Sequence, residues 1–133
     1  MFLNILNQKE GKQYLELAHI AMSIDGKVEE SVQAIFYAHK LELELRDYEL
    51  KNETYEALIT AFQASTKKVK KAVIIEIAGV LDSDDVIDVI EERCIIILGT
   101  DLGFREAETK KMIRWTQDFN DLLQEAYDYI NKR

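Results

Sequence analysis

Not one proline occurs in these 133 residues, and that absence constrains the fold more than any motif does. Proline costs about 3 kcal/mol in a helix interior, so a chain without it, whose apolar residues recur at helical spacing, can build long helices. Glycine is sparse and stands mostly between the periodic stretches, as punctuation. With 47% hydrophobic and 32% charged residues, the chain is globular rather than disordered. A chain of this length is one domain, 1–133, and buries roughly two thirds of its unfolded surface.

The spacing predicts the elements in turn. A first helix starts after Asn7, with Glu10 as capping-box partner and Gly11 where a hydrophobic staple would need an apolar side chain. Tyr14, Leu17, Ala18 and Ala21 mark its inner face. A second helix follows the turn at Asp25-Gly26, with Val28, Val32, Ile35, Phe36 and Leu43 inward. A connector rich in Asp47, Glu49, Lys51 and Asn52 leads to a short third helix, which presents Tyr55, Leu58, Ile59 and Phe62. Ser65 and Thr66 can cap a fourth, facing Val73, Ile74, Ile77, Ala78 and Leu81 to the core, with Gly79 read as a close helix crossing. The fifth is expected to run from Asp82 through Val86, Val89, Ile90, Cys94, Ile97 and Leu98, bracketed at its end by Gly99 and Gly103. From Phe104 to Arg133, Met112, Trp115, Thr116, Phe119, Leu122, Leu123, Ala126 and Ile130 read as an inward face, with a break near Asp118 to Asp121. The fold class is all-α: a compact bundle of about six or seven helices.

An internal echo orders these helices. Placing Glu16 on Glu76 and Ala18 on Ala78 brings Asp25 onto Asp85, so halves at about 8–46 and 66–104 each read as helix, acidic turn, helix. Two related helical hairpins would produce it.

With the helices laid out, the chain resembles the TerB-like tellurite-resistance family. The likeness rests on Leu15-Glu16-Leu17-Ala18, Asp25-Gly26-Lys27-Val28, Lys70-Lys71-Ala72 opening the helix of Glu76-Ile77-Ala78, and Leu102-Gly103-Phe104 before the last helical region. It spans most of the chain. It implies a helical fold of two related halves, a cytoplasmic bacterial setting, stress or tellurite-resistance systems with membrane-associated partners, acidic turns that bind a divalent cation, and no established catalysis. The family's glutamate seven residues after the turn aspartate is Val32 in the first half and Glu92 in the second, and the second turn reads Asp84-Asp85-Val86 without the Asp-Gly pair.

The acidic residues have their own physics. Asp82, Asp84, Asp85, Asp88, Glu91 and Glu92 fall together with no base between them. Hard cations take such oxygen ligands, and crowded carboxylates repel one another unless relieved. The candidate metal ligands are Asp25, Asp82, Asp84, Asp85, Asp88 and Glu92, for calcium, magnesium, manganese or zinc. The competing reading makes the aspartates helix caps. An EF-hand is excluded, because a loop starting at Asp82 would put Ile87 and Arg93 where glycine and glutamate are required.

Other chemistry is thin. His19 and His39 do not pair by spacing, Cys94 lies in an apolar run and reads as a buried thiol, and no glycine-rich phosphate loop occurs. No enzyme is expected. A net charge of -8 argues against nucleic-acid binding. No apolar run approaches the roughly 20 residues of a membrane helix, which leaves a cytoplasmic protein without membrane insertion. Lys67, Lys68, Lys70 and Lys71 alone could touch an anionic surface. The leading expectation is a non-enzymatic TerB-like module acting through protein partners. A purely structural interaction domain without metal is the alternative, and a metal-dependent hydrolase a distant third.

Overall fold

A computed structural model of the chain describes residues 1–24, 30–82 and 87–132, all of whose regular elements are helical. A short 3-10 turn at Leu3–Ile5 precedes six α-helices: α1 Gln8–Met22, α2 Glu30–Glu42, α3 Tyr55–Phe62, α4 Lys67–Leu81, α5 Val89–Asp101 and α6 Glu106–Asn131. The all-α reading stands.

Helix α4 is the axis. It packs against α1, α2, α5, α6 and the first turn, and Ala72, Val73, Ile74, Ile77, Ala78, Val80 and Leu81 are all buried. A helix apolar on nearly every side has to lie inside its domain. Around it Tyr14, Leu15, Phe62, Ile95 and Ile113 complete one core.

The helix starts follow local chemistry. Asn7 accepts from the Glu10 amide and Glu10 answers on the Asn7 amide, closing the capping box. Thr66 caps α4, while Ser65 instead donates its hydroxyl to Glu10 across the fold. The helix ends repeat between the halves. Leu45 N–H bonds Lys40 O and Glu44 N–H bonds Leu41 O after α2, as Phe104 N–H bonds Gly99 O and Gly103 N–H bonds Thr100 O after α5. Both are Schellman closures with a left-handed residue, Gly103 at φ 99° and Glu44 at φ 58°. The apolar residue after each, Phe104 and Leu45, is buried.

Several expectations need correction. Helix α5 begins at Val89, because Asp88 and Glu91 form a capping box there. That start turns Ile95, Leu98 and Gly99 inward and leaves Val89, Ile90 and Ile97 exposed. Leu43 lies beyond the end of α2, and Cys94 is half-buried rather than buried. The tight crossing belongs to Gly99, where a Cβ would overlap Thr109 Oγ1 and stand 3.0 Å from the Thr109 Cβ. At Gly79 an added Cβ meets nothing closer than Thr116 Cγ2 at 3.9 Å. No break interrupts α6 at Asp118 to Asp121. It has no glycine or proline, and it runs 26 residues, about 39 Å.

Helix α6 also departs from its predicted inner face. Thr109, Ile113 and Thr116 are buried, but Trp115, Leu122, Leu123, Ala126 and Ile130 are exposed. Everything from Asp121 to Asn131 faces solvent.

Candidate functional site

Two buried glutamates occupy the positions that the internal echo aligned. Glu16 accepts the Tyr48 hydroxyl at 2.6 Å and the amides of Lys51 at 2.8 Å and Glu53 at 3.3 Å, which pins the connector between α2 and α3. Burial pushes this carboxyl up, and these donors outweigh it, so its pKa lies below the usual range. Glu76 accepts the Phe2 amide at 2.9 Å and faces His39 Nε2 at 3.2 Å. His39 Nδ1 lies 2.9 Å from the Tyr14 hydroxyl. Burial drives the His39 pKa down although Glu76 pulls it up. It drives the Tyr14 hydroxyl well up. A neutral imidazole therefore accepts from Tyr14 and donates to Glu76. Each carboxylate is an anchor for backbone or side-chain donors, so the echoed motif builds structure.

The predicted cation ligands separate into two groups. Asp25, Asp84 and Asp85 lie outside the described residues. Asp82 closes α4 and is buried, and its Oδ2 accepts from Asn120 Nδ2 at 2.7 Å. A carboxylate at a helix C-terminus opposes the macrodipole, and a donor from α6 offsets this. Asp88 caps α5 through the Glu91 amide at 2.7 Å, and Glu92 follows in the first turn. Among the described residues, no three side chains of ligand type converge to hold a metal ion. The described carboxylates fit helix ends better than a cation.

The flanks of the two acidic corners nevertheless meet. Met22 from the end of α1, Val32 from the start of α2 and Val80 from the end of α4 form one buried cluster. Beside it, Ser31 and Asp82 line the same cleft of about 430 Å³, between α2 and α6. Ala34 and Ile35 form its α2 wall, Gly79 its floor, and Leu123 and Tyr127 its α6 wall. A second hollow of about 160 Å³ shares Ile35, Gly79 and Asn120 with it and extends the surface to His39 and Trp115. There Trp115 stacks on Phe119 at 5.3 Å and meets Phe2 at 5.9 Å.

Apolar side chains continue from this cleft along α6. Leu122 is 65% exposed, Tyr129 72% and Ile130 76%. Bonds from Gln124 to Asp128 and from Tyr129 to Glu125, one turn apart, support the helix along this exposed stretch. Of these apolar residues, the sequence pattern predicts Leu122 and Ile130, but not Tyr129, to face the core. Of the α2 wall, the sequence pattern marks Ile35 as inward, while Ser31 and Ala34 carry no chemical signature.

The remaining candidates are quieter. Burial raises the Cys94 thiol pKa, helped by Asp88 and Glu91, which disfavours the reactive thiolate. Lys67, Lys68, Lys70 and Lys71 sit on the first turns of α4. Among the described residues no ion pair joins them to an acid. No helix among these residues is long and apolar enough to cross a membrane. No family model matches the chain, and no curated protein or solved structure matches it either.

Proposed function

We propose that this chain is a non-enzymatic cytoplasmic docking module, of the TerB-like stress-response kind its motifs resemble, which holds a protein partner on the surface formed by α2 and the second half of α6. The observation that carries this reading is the uncovered apolar side of α6, Leu122, Leu123, Tyr127 and Ile130, standing beside a concave cleft. Exposed apolar side chains beside a groove are what binding faces present. The buried acids support the same reading. Glu16, Glu76 and Asp82 all serve as acceptors for donors of the fold.

A photo-crosslinking residue in place of Tyr127 tests it in lysate of the organism of origin, with Lys71 as the control position. The expected result is a discrete adduct from position 127 that position 71 does not give. Equal or no adducts from both positions would overturn the proposal.

A second reading adds a divalent cation held by Asp25, Asp84 and Asp85, favoured by the convergence of both corners' flanks. Saturation at about 100 times the dissociation constant would stabilise the fold by about 2.7 kcal/mol. Melting with calcium, magnesium, manganese or zinc should then show a shift that Asp85→Asn removes. A shift that survives the substitution is general screening of an acidic chain and contradicts this reading.

A further inference from the structure

The cleft between α2 and α6 has a chemistry that selects its occupant. Its α2 and α4 sides include the small residues Ser31, Ala34 and Gly79 beside Ile35 and Asp82. Such walls let another backbone come close, and Ile35, Leu123 and Tyr127 supply apolar surface. Among the described residues no lysine or arginine lines it. From Trp115 to Asn131, α6 carries Asp118, Asp121, Glu125 and Asp128 and no base. Asp121, Glu125 and Asp128 recur at four- and three-residue spacing, so they form one acidic row along the helix. Asp121 itself borders the cleft.

We infer that the occupant of this cleft is a basic amphipathic helix of a partner protein. It lays its apolar side on Ile35, Leu123 and Tyr127 and its lysines or arginines along Asp121 and Asp128. A cleft with apolar anchors and an acidic rim suits helix-in-groove recognition, in which apolar anchors at helical spacing supply affinity and the rim supplies orientation. A second copy of this chain is the poorer occupant, because its own α6 would bring the same acidic row against this one. An anionic membrane is poorer still, for the same reason of sign. The inference rests on the docking proposal and adds the chemistry of the partner.

The test uses the protein's single tryptophan, since Trp115 lies in the hollow that continues the cleft. The probe is a synthetic amphipathic helix of leucine and lysine. It is compared with a leucine–glutamate helix and with a scrambled peptide of the same composition that has no apolar face. The leucine–lysine helix should change Trp115 fluorescence saturably, with an affinity at least about tenfold above either control. Ala34→Phe, at an exposed position, fills the groove and should weaken binding at least about tenfold. Asp121→Lys with Asp128→Lys should weaken it by a similar factor and flatten its salt dependence. Circular dichroism melting of both variants confirms that they fold.

Equal binding of the scrambled peptide, or binding that Ala34→Phe leaves intact, would overturn the inference. So would a dimer in solution that Ala34→Phe dissociates, or stronger binding to anionic vesicles than to the peptide. If crosslinking from position 127 captures a partner through a segment that is not basic, the inference fails and the docking proposal stands. Failure of both the peptide and the crosslink removes both.

Discussion

The two halves of α6 have the same kind of sequence and opposite surroundings. In the first half Thr109, Ile113 and Thr116 are buried, and this part of the helix completes the core. In the second, Leu122, Tyr129 and Ile130 repeat the amphipathic pattern and are exposed. An apolar stripe therefore states that a face stands to gain from cover without stating what provides the cover. In the first half the cover is the rest of the chain. In the second it would come from the proposed docking partner.

The sharpest way to break this contrast is to remove apolar volume from each half. Ile113→Ala should cost about 2–4 kcal/mol in urea unfolding, through lost burial and the cavity left behind. Ile130→Ala should stay within about 0.5 kcal/mol of the parent, as an exposed site does. A large cost at Ile130 would mean that the second half is covered in solution.

The closeness of the covered half is tested at its tightest point. Gly99→Ala pushes a methyl into buried Thr109 and should destabilise by about 2 kcal/mol, overpacking that forces α5 and α6 apart. The double change Gly99→Ala with Thr109→Ala, which removes both the Thr109 hydroxyl and its methyl, should recover part of that loss. No recovery would place the strain elsewhere.

Burial among backbone and hydroxyl donors, against exposure with a single side-chain donor, also separates the charges. The folded pKa of Glu16 is depressed, so its contribution to stability is present above the carboxyl's unfolded value and is lost as pH falls through the folded value. Glu16→Gln should cost about 1.5–3 kcal/mol at neutral pH, the range for hydrogen bonds to a charged group. The gap between variant and parent should close in acid. A gap that is constant with pH would show that the carboxylate is not the acceptor. At Asp128, on the uncovered half, Asp128→Asn should change stability by no more than about 0.5 kcal/mol at any pH.

How much of this was legible in the sequence varied with the kind of feature. Local rules worked where the signal was local. Asn7 with Glu10 and Thr66 before the fourth helix announced their caps, and Gly103 announced a helix end. Asp88 with Glu91 carries the same capping signal, but a helix started at Asp82 puts Val89, Ile90 and Ile97 inward with Leu98, and of these Leu98 alone is buried. Glu44 was illegible, because a left-handed helix end is ordinarily marked by glycine or asparagine. The crossing at Gly99 instead of Gly79 depends on where Thr109 and Thr116 lie, which is tertiary information. For the candidate site, Leu122, Leu123 and Ile130 were visible as an apolar face. Their exposure was not, because only the length and path of α6 decide which of its residues reach past the core. Ser31 and Ala34 acquire meaning only as the wall opposite Tyr127.

The most direct measurement is amide chemical-shift mapping of the isotope-labelled chain titrated with the leucine–lysine helix. Perturbed amides should cluster at Ser31, Ala34, Ile35 and Gly79 and along α6 from Trp115 to Tyr127, while the first turns of α4 at Lys67 to Lys71 stay silent. Perturbations spread evenly over acidic residues of the whole surface, such as Glu49, Glu56 and Glu106, would reduce the interaction to nonspecific charge attraction and contradict the account.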